Sequence, residues 1–262
     1  MDFYSAAEFK KAMDTIEQIY FRSYPSQTSP KAYLVCGQPG AGKSYLVSRL
    51  KQKDFAFING DEFRWFHPHI DDLRESLGEK YMEATRSFNG KMTEALIDDL
   101  SDRRINLIIE GTLRTIEVPI KTKNLLEKKG YGVELCIFVV RPELSFLRAK
   151  KRYYEMKNLG TIPRATDTNF QKDITDGLVA NLETIYERRE FKEIKLFGDV
   201  NNEIALLYSL QKSPDVNSAQ LLYDEHHKLY SKEEIGKLKK QYEDVIELDT
   251  FNKLFTGKIE SE

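Results

Sequence analysis

The sequence is short of cysteine, of long apolar runs and of net charge, and each shortage excludes a class of protein. Its 262 residues carry a formal net charge of −2, which gives no general signal for binding a polyanion such as nucleic acid. The two cysteines, Cys36 and Cys136, lie in apolar, strand-like runs, which predicts buried, reduced thiols. No apolar run approaches the length of a membrane span, and the N-terminus lacks the apolar segment of a signal peptide. We therefore expect a soluble, cytoplasmic protein that binds neither nucleic acid nor a membrane.

The stretch at residues 37–44 fits G-x-x-x-x-G-K-[ST], the pattern of a phosphate-binding loop or P-loop. The preceding apolar run predicts a buried strand, and the following residues predict a helix. Glycines let the backbone turn tightly around a phosphate, and the helix N-terminus adds partial positive charge. A glycine-rich turn that contains Lys-Ser by chance is the alternative, but the flanking strand and helix argue against it. We predict that the nucleotide-binding residues are Gly37, Gln38, Pro39, Gly40, Ala41, Gly42, Lys43, Ser44 and Tyr45.

Within this pattern two side chains have chemical roles. Lys43 would reach the β- and γ-phosphates, and the Ser44 hydroxyl would bind Mg²⁺. The sequence therefore predicts a nucleoside triphosphate and Mg²⁺ as ligands.

Two carboxylates come directly after predicted strands, at the edge where open α/β sheets bind their ligands. Asp61 is either a chemical group of the site or the N-cap of the segment that begins at Glu62, and the sequence favours the two equally. Glu110 ends a strongly apolar strand, where P-loop proteins hold Mg²⁺ or position a substrate. Because desolvating an unpaired carboxylate is costly, we expect a function for Glu110.

Cations that could neutralise phosphate charge lie later in the chain. Pro142 opens a predicted helix that carries Arg152. Such cations are usually solvated, but an arginine on a lid helix can stabilise the transition state of phosphoryl transfer. Residues 158–167 are rich in Gly, Pro and Thr and contain Arg164, which predicts a mobile loop that closes over the phosphates.

The order of predicted elements indicates an α/β fold with helical additions at both ends. A helix with a capping box is predicted at residues 5–21, and a long helix is predicted at residues 79–102, in which Gly90 indicates close packing or a break. Glu94 lies on this helix and by itself reads as a solvated charge. We predict three parts: an N-terminal helix and linker (1–30), a core that contains the P-loop (31–212), and a C-terminal helical extension (213–262).

Several motifs stand together in the order typical of one family. They are Gly37–Ser44, Asn59-Gly60-Asp61-Glu62-Phe63-Arg64, Glu110-Gly111-Thr112-Leu113-Arg114-Thr115, Arg152-Tyr153 and Arg164-Ala165-Thr166. Over about residues 30 to 190 the sequence resembles the zeta toxins of bacterial toxin–antitoxin modules, including those of the PezT type. The Glu-Gly-Thr-x-Arg-Thr element is far more specific than the P-loop, while the C-terminal fifth matches weakly.

The resemblance implies an enzyme that uses ATP to phosphorylate the sugar 3′-hydroxyl of UDP-N-acetylglucosamine and so poisons cell-wall precursor synthesis. It implies a P-loop kinase fold, with a mostly parallel central sheet flanked by helices and a helical substrate lobe. It also implies inhibition by a small helical antitoxin protein. The implied roles are Asp61 as general base, Lys43 and Ser44 at the phosphates and Mg²⁺, Arg152 and Arg164 as a phosphoryl clamp, and Glu94, Glu110, Thr112 and Arg114 at the sugar nucleotide.

One departure and two alternatives remain. Gln171-Lys172-Asp173 stands where the family commonly carries a His-Asp pair, which puts the packing after Arg164 in doubt. The alternatives are a P-loop kinase of another small molecule or of a nucleic-acid end, and a nucleotide-dependent switch or ATPase.

Overall fold

The computed structural model describes residues 3–51, 53–160, 168–201 and 203–260. A single sheet of six strands has the order β2-β3-β1-β4-β5-β6. The strands are β1 (Lys31–Cys36), β2 (Phe55–Ile58), β3 (Asn106–Glu110), β4 (Gly132–Phe138), β5 (Ile194–Val200) and β6 (Glu203–Ser209). Neighbouring strands from β2 to β5 are parallel, and β6 pairs antiparallel with β5.

Eleven α-helices are seen in the described residues, and they cover both faces of the sheet. They are α1 (Ala6–Ser23), α2 (Lys43–Leu50), α3 (Ile70–Leu77), α4 (Tyr81–Ala84), α5 (Arg86–Asp102), α6 (Glu117–Lys128), α7 (Pro142–Asn158), α8 (Thr168–Glu187), α9 (Ser218–His227), α10 (Lys232–Tyr242) and α11 (Leu248–Leu254). Among these residues, no helix is both long and apolar enough to cross a bilayer.

Alternation along the strands divides the core in two. Leu34 of β1 belongs to the larger core, to which α1, α5, α6, α8 and α9 contribute buried side chains. Its neighbour Val35 points to the opposite face and packs with Leu46 and Val47 of α2. The predicted mostly parallel α/β sheet flanked by helices is confirmed, because strands buried on both faces need helices on both sides.

The N-terminal helix α1 is part of this packing. Ser5 and Glu8 form the predicted capping box, with the Glu8 N–H donating to Ser5 Oγ at 3.3 Å and the Ser5 N–H donating to Glu8 Oε2 at 2.8 Å. Met13 and Ile16 are buried in the larger core, and the Tyr20 hydroxyl donates to the Phe57 carbonyl of β2 at 2.6 Å. The helix therefore contributes to the core of the kinase-like fold.

The predicted helix at residues 79–102 was wrong in its continuity. It forms a 3₁₀ turn (Gly78–Lys80) followed by α4 and α5, and the break lies at Thr85. Gly90 lies inside α5 without interrupting it. Arg64 Nη1 donates to the Met82 carbonyl and to Thr85 Oγ1, both at 2.6 Å, so a guanidinium binds the turn between α4 and α5.

The C-terminal helices pack against α7 and α8. Leu147 of α7 forms an apolar cluster with Tyr230, Tyr242, Phe251 and Phe255, and α9 packs along α8. The boundaries of the three predicted parts stay a prediction.

Candidate active site

The P-loop joins the end of β1 to the start of α2. Gly42 is the N-cap of α2 with φ of 105°, and Gly40 has φ of 79°, conformations that favour glycine. A Cβ atom on Gly40 would lie 2.0 Å from the Ser145 carbonyl oxygen, so the loop touches the backbone of α7. Glycine is thus required here by conformation and by space.

Lys43 is buried within this loop, with 9% of its surface exposed. Its ammonium donates to the carbonyls of Gly37 at 2.9 Å and Gln38 at 3.2 Å. Glu110 Oε1 lies 3.7 Å from the ammonium. Burial lowers the pKa of Lys43, and the opposite charge of Glu110 counteracts this effect.

Glu110 reaches Lys43 because of the sheet register. It pairs with Val35 in the parallel ladder between β1 and β3, so its strand end lies beside the start of the P-loop. The Gly111 N–H donates to the Val35 carbonyl at 2.9 Å and continues this pairing past the strand. The carboxylate that ends the apolar strand is therefore paired with a cation of the P-loop.

Asp61 lies on the 3₁₀ helix Gly60–Phe66, which follows β2. The N-cap of that helix is Asn59, whose Oδ1 accepts from the Asp61 N–H at 3.0 Å. The capping alternative for Asp61 is therefore wrong, because Asn59 already fills that position. The Asp61 carboxylate pairs instead with Arg64 Nη2 at 2.9 Å.

The charges of two further candidates reach Lys43. Asp61 raises the pKa of Lys43, and Arg152 of α7 lowers it, so both lie within electrostatic range of the ammonium. Ser44 is exposed in the first turn of α2. Lys43, Glu110 and Asp61 thus lie at or just after the carboxyl ends of β1, β3 and β2, and Arg152 of α7 lies within electrostatic range of Lys43.

The residues assigned to the sugar nucleotide are more widely spread. Thr112 Oγ1 accepts from the Arg114 N–H at 3.4 Å, and both residues follow β3 directly. Asn181 Nδ2 of α8 donates to the carbonyls of Leu113 and Arg114, each at 2.9 Å, which fixes this loop. Glu94 is exposed and pairs with Lys121 at 3.1 Å. Arg164 lies outside the described residues.

Two polar side chains at the site, those of Arg64 and Asn181, were missed from the sequence, and Gln38 was predicted as a P-loop residue without its side-chain contact. Arg64 binds Asp61, and its spacing of three residues on a helix was the available signal. Gln38 is fully buried and donates to the Val140 carbonyl at 3.0 Å. Asn181 lies 67 residues from the Arg114 carbonyl that it binds, and nothing local in the sequence indicates that contact.

A separate cavity of about 810 Å³ lies between α7, α8, α9 and α11, and none of the candidate site residues that the structure describes lines it. Its walls include Phe146, Val179, Tyr223, His226 and Leu254. We place the site at the P-loop because the phosphate-binding backbone and the convergent charges lie there, whereas the cavity is mainly apolar.

The fold and the site together define a class. A mostly parallel sheet, a glycine loop that opens α2, and a lysine paired with the carboxylate of the adjacent strand characterise a P-loop kinase-like protein. The Zeta toxin family model matches residues 14–228. The chain therefore belongs to the zeta toxin family, which confirms the resemblance and extends it beyond residue 190.

Individual relatives agree. The chain is 40% identical over 199 residues to Toxin PezT of Streptococcus pneumoniae, covering 74% of this chain and 78% of that protein. It is 33% identical over 226 residues to Toxin zeta of Streptococcus pyogenes, covering 85% and 77%. A chain in the solved structure of the PezAT chromosomal toxin–antitoxin system of S. pneumoniae has a TM-score of 0.80 at 32% identity, covering 96% of this chain and 98% of that one. The C-terminal helices, expected to match weakly, are thus included in the structural similarity.

Proposed function

We propose that this protein is a cytoplasmic kinase that transfers phosphate from ATP to the sugar 3′-hydroxyl of UDP-N-acetylglucosamine, acting as a toxin against cell-wall precursor synthesis. The observation that carries the proposal is the buried P-loop lysine Lys43, which pairs with Glu110 at 3.7 Å and lies within electrostatic range of Asp61 and Arg152. Membership of the zeta toxin family supports the toxin role. The similarity to a chain of the PezAT system supports a small helical antitoxin as partner.

The P-loop would hold the triphosphate of ATP through its backbone N–H groups and the N-terminus of α2. Lys43 would exchange its contacts with the Gly37 and Gln38 carbonyls for contacts with the β- and γ-phosphates. Because the ammonium is largely removed from water, its attraction for phosphate oxygens is stronger than at an exposed site.

The oxygen groups at this place fit Mg²⁺. The Ser44 hydroxyl is exposed at the start of α2, and the Glu110 carboxylate lies beside Lys43. Hydroxyl and carboxylate oxygens are the ligands that Mg²⁺ accepts alongside phosphates. When bound, the ion would neutralise phosphate charge.

Asp61 would orient the acceptor hydroxyl and take its proton as the bond to phosphorus forms. Arg152, with Arg164, would stabilise the charge on the transferred phosphoryl group. Glu94, Glu110, Thr112 and Arg114 would bind the sugar nucleotide, and Asn181 would hold the loop that carries Thr112 and Arg114. Alignment of the hydroxyl with the phosphate would supply most of the acceleration.

A direct transfer assay tests this function. The protein is incubated with ATP, Mg²⁺ and UDP-N-acetylglucosamine, and the product is located by mass spectrometry and NMR. Asp61→Asn should retain ATP binding and lower kcat by about 10²-fold or more. Asp71→Asn is the matched control, because Asp71 pairs with Arg74 three residues later, at 3.6 Å, on the neighbouring helix α3.

The outcomes separate the alternatives. Phosphate on the 3′-oxygen, lost with Asp61→Asn and kept with Asp71→Asn, would support both the acceptor and the base. ATP binding with an untouched sugar nucleotide would refute this acceptor and direct the search to other small molecules or nucleic-acid ends. Hydrolysis of ATP without any acceptor dependence would favour a switch or ATPase.

A further inference from the structure

The P-loop packs against the residues that precede and begin α7. The buried Gln38 side chain donates to the Val140 carbonyl at 3.0 Å. The backbone of Gly40 lies so close to the Ser145 carbonyl that even a methyl group is excluded. In a closely packed interior such contacts transmit displacement, so the loop cannot shift independently of the start of α7.

The start of α7 is held in turn by the C-terminal part of the chain. Arg141, the N-cap residue of α7, donates to the Leu229 carbonyl at 3.0 Å. Its second terminal nitrogen pairs with Glu234 at 2.6 Å, and its guanidinium lies 3.5 Å from the centre of the Tyr230 ring. The Arg141 side chain is only 17% exposed. A planar guanidinium that stacks and donates twice fixes orientation as well as distance.

A second charged contact holds the first turn of α7. Glu143, 5% exposed, pairs with Lys258 at 3.2 Å and accepts from the Tyr230 hydroxyl at 3.4 Å. Leu147, one turn further, joins the apolar cluster of the C-terminal helices. Glu234 and Lys258 both lie beyond residue 228, where the match to the family model ends.

The ion pair of Arg141 differs from an ordinary surface ion pair because the residue next to Arg141 contacts the P-loop. It follows Val140 directly, and the Val140 carbonyl is the acceptor for Gln38. The Gln38 carbonyl in turn accepts from Lys43 and from the Ala41 N–H, at 3.2 and 3.1 Å. One peptide unit therefore separates the contacts of the C-terminal extension from those that shape the phosphate-binding loop.

We propose that Arg141 is a positioning residue for the P-loop, through which the C-terminal extension sets the geometry that receives the nucleotide phosphates. The proposal rests on the proposed function only in that the loop binds a nucleoside triphosphate; it does not depend on the acceptor. Arg141 acts through Val140 and Gln38 and is not itself placed against the reacting atoms.

The test compares nucleotide affinity with stability. The dissociation constant of a non-hydrolysable ATP analogue with Mg²⁺ is measured by calorimetry, and thermal unfolding is measured without nucleotide. Arg141→Met should raise the Kd by about 3- to 30-fold. Arg141→Lys keeps the positive charge that faces Glu234 but loses the planar guanidinium. Its Kd should therefore lie between those of the wild type and Arg141→Met.

Lys129→Met is the matched control. Lys129 is 20% exposed and pairs with Asp98 at 2.6 Å and Asp102 at 2.7 Å. The same kind of double contact is thus removed near the start of β4, at the sheet edge opposite to the P-loop. This variant should lower Tm and leave the Kd unchanged. If Arg141→Met does not fold, Glu234→Gln serves instead, because it removes the charge and keeps an acceptor for the Ser231 N–H.

A double-mutant cycle tests the route. Gln38→Met by itself should raise the Kd. In the double variant Gln38→Met/Arg141→Met, the fold-increase in Kd should be smaller than the product of the two single fold-increases. A Kd within twofold of wild type in Arg141→Met or Glu234→Gln, with Tm lowered as in Lys129→Met, would overturn the inference. Wild-type protein that binds the analogue but does not phosphorylate UDP-N-acetylglucosamine would refute the proposed acceptor alone, because the Kd comparison still decides the role of Arg141. Absence of analogue binding by the wild type would overturn both.

Discussion

Replacing Arg64 by Met should separate catalysis from nucleotide binding. The Arg64 guanidinium connects Asp61 to the turn between α4 and α5 through contacts of 2.9 Å to Asp61 and 2.6 Å each to Met82 and Thr85. Its side chain is 11% exposed, whereas that of Asp61 is 44% exposed. Without this anchor, the Asp61 carboxylate loses the charged contact that holds it in the position in which it would meet a hydroxyl.

The size of the effect follows from this geometry. A displacement of about 1 Å in a reacting group costs about 10²-fold in rate, so we expect Arg64→Met to lower kcat by roughly 10- to 100-fold. Two buried acceptors, the Met82 carbonyl and Thr85 Oγ1, also lose a charged donor, which should lower the free energy of unfolding by about 1–3 kcal/mol. The Kd for ATP should stay within about twofold, because none of the described contacts of Arg64 reaches the P-loop.

The assay is steady-state phosphoryl transfer with saturating acceptor, together with calorimetric ATP binding and urea unfolding. Arg74→Met is the control, since Arg74 pairs with Asp71 at 3.6 Å and lies over Trp65 in the same lobe. It should change stability with little effect on kcat. A folded Arg64→Met variant with kcat within twofold of wild type, or one that loses ATP affinity and kcat in parallel, would refute the positioning of Asp61 by Arg64.

Four other predictions concern the P-loop, a helix and a buried histidine. Lys43→Ala should abolish phosphoryl transfer in a protein whose circular dichroism is unchanged, and full activity would refute the P-loop assignment. Gly40→Ala should destabilise by more than about 2 kcal/mol in urea because of its φ of 79° and the Ser145 carbonyl. Gly90→Ala, exposed inside α5 with open space around it, should stabilise by about 0.5–1 kcal/mol. Burial lowers the pKa of His226 from 6.5 to about 4. Only the unfolded chain then takes up a proton between these values, so stability is lost as the pH falls from about 6.5 to about 4, by up to about 3 kcal/mol. His226→Gln should remove this pH dependence relative to wild type, whereas the exposed His227→Gln should keep it; equal pH profiles of all three proteins would contradict the assignment.

The parts that could be predicted from the sequence are those specified by nearby residues. The P-loop is a local backbone conformation set by its own glycines, and Gly42 has the left-handed geometry that the pattern requires. Glu110 could be singled out because a buried apolar strand makes an unpaired carboxylate costly, and the structure shows its partner, Lys43.

The parts that could not be predicted depend on contacts across long sequence separations. The helix break at Thr85 arises where Arg64, 21 residues earlier, donates to it, whereas Gly90 was the only local signal of an interruption. Asp61 could not be distinguished from an N-cap, because Asn59 and Asp61 both suit that position and only the observed hydrogen bond identifies Asn59. Glu94 read as a solvated charge, and its described contact is an exposed pair with Lys121. Its role at the sugar therefore rests on the family alone.

Gln38 shows that a residue at a variable position of a motif can have a specific structural role. In the P-loop pattern its position accepts any residue, because the phosphates are bound by backbone groups. Here its side chain is fully buried and joins the loop to Val140, next to the arginine held by the C-terminal helices. In the proposed function the glycines and Lys43 bind the phosphates, whereas the residues at variable positions determine which surrounding elements hold the loop in place. Contacts of this second kind differ between proteins that share the motif, so the support of the P-loop has to be identified from structure, and its energetic weight from the affinity of the Arg141 and Gln38 variants.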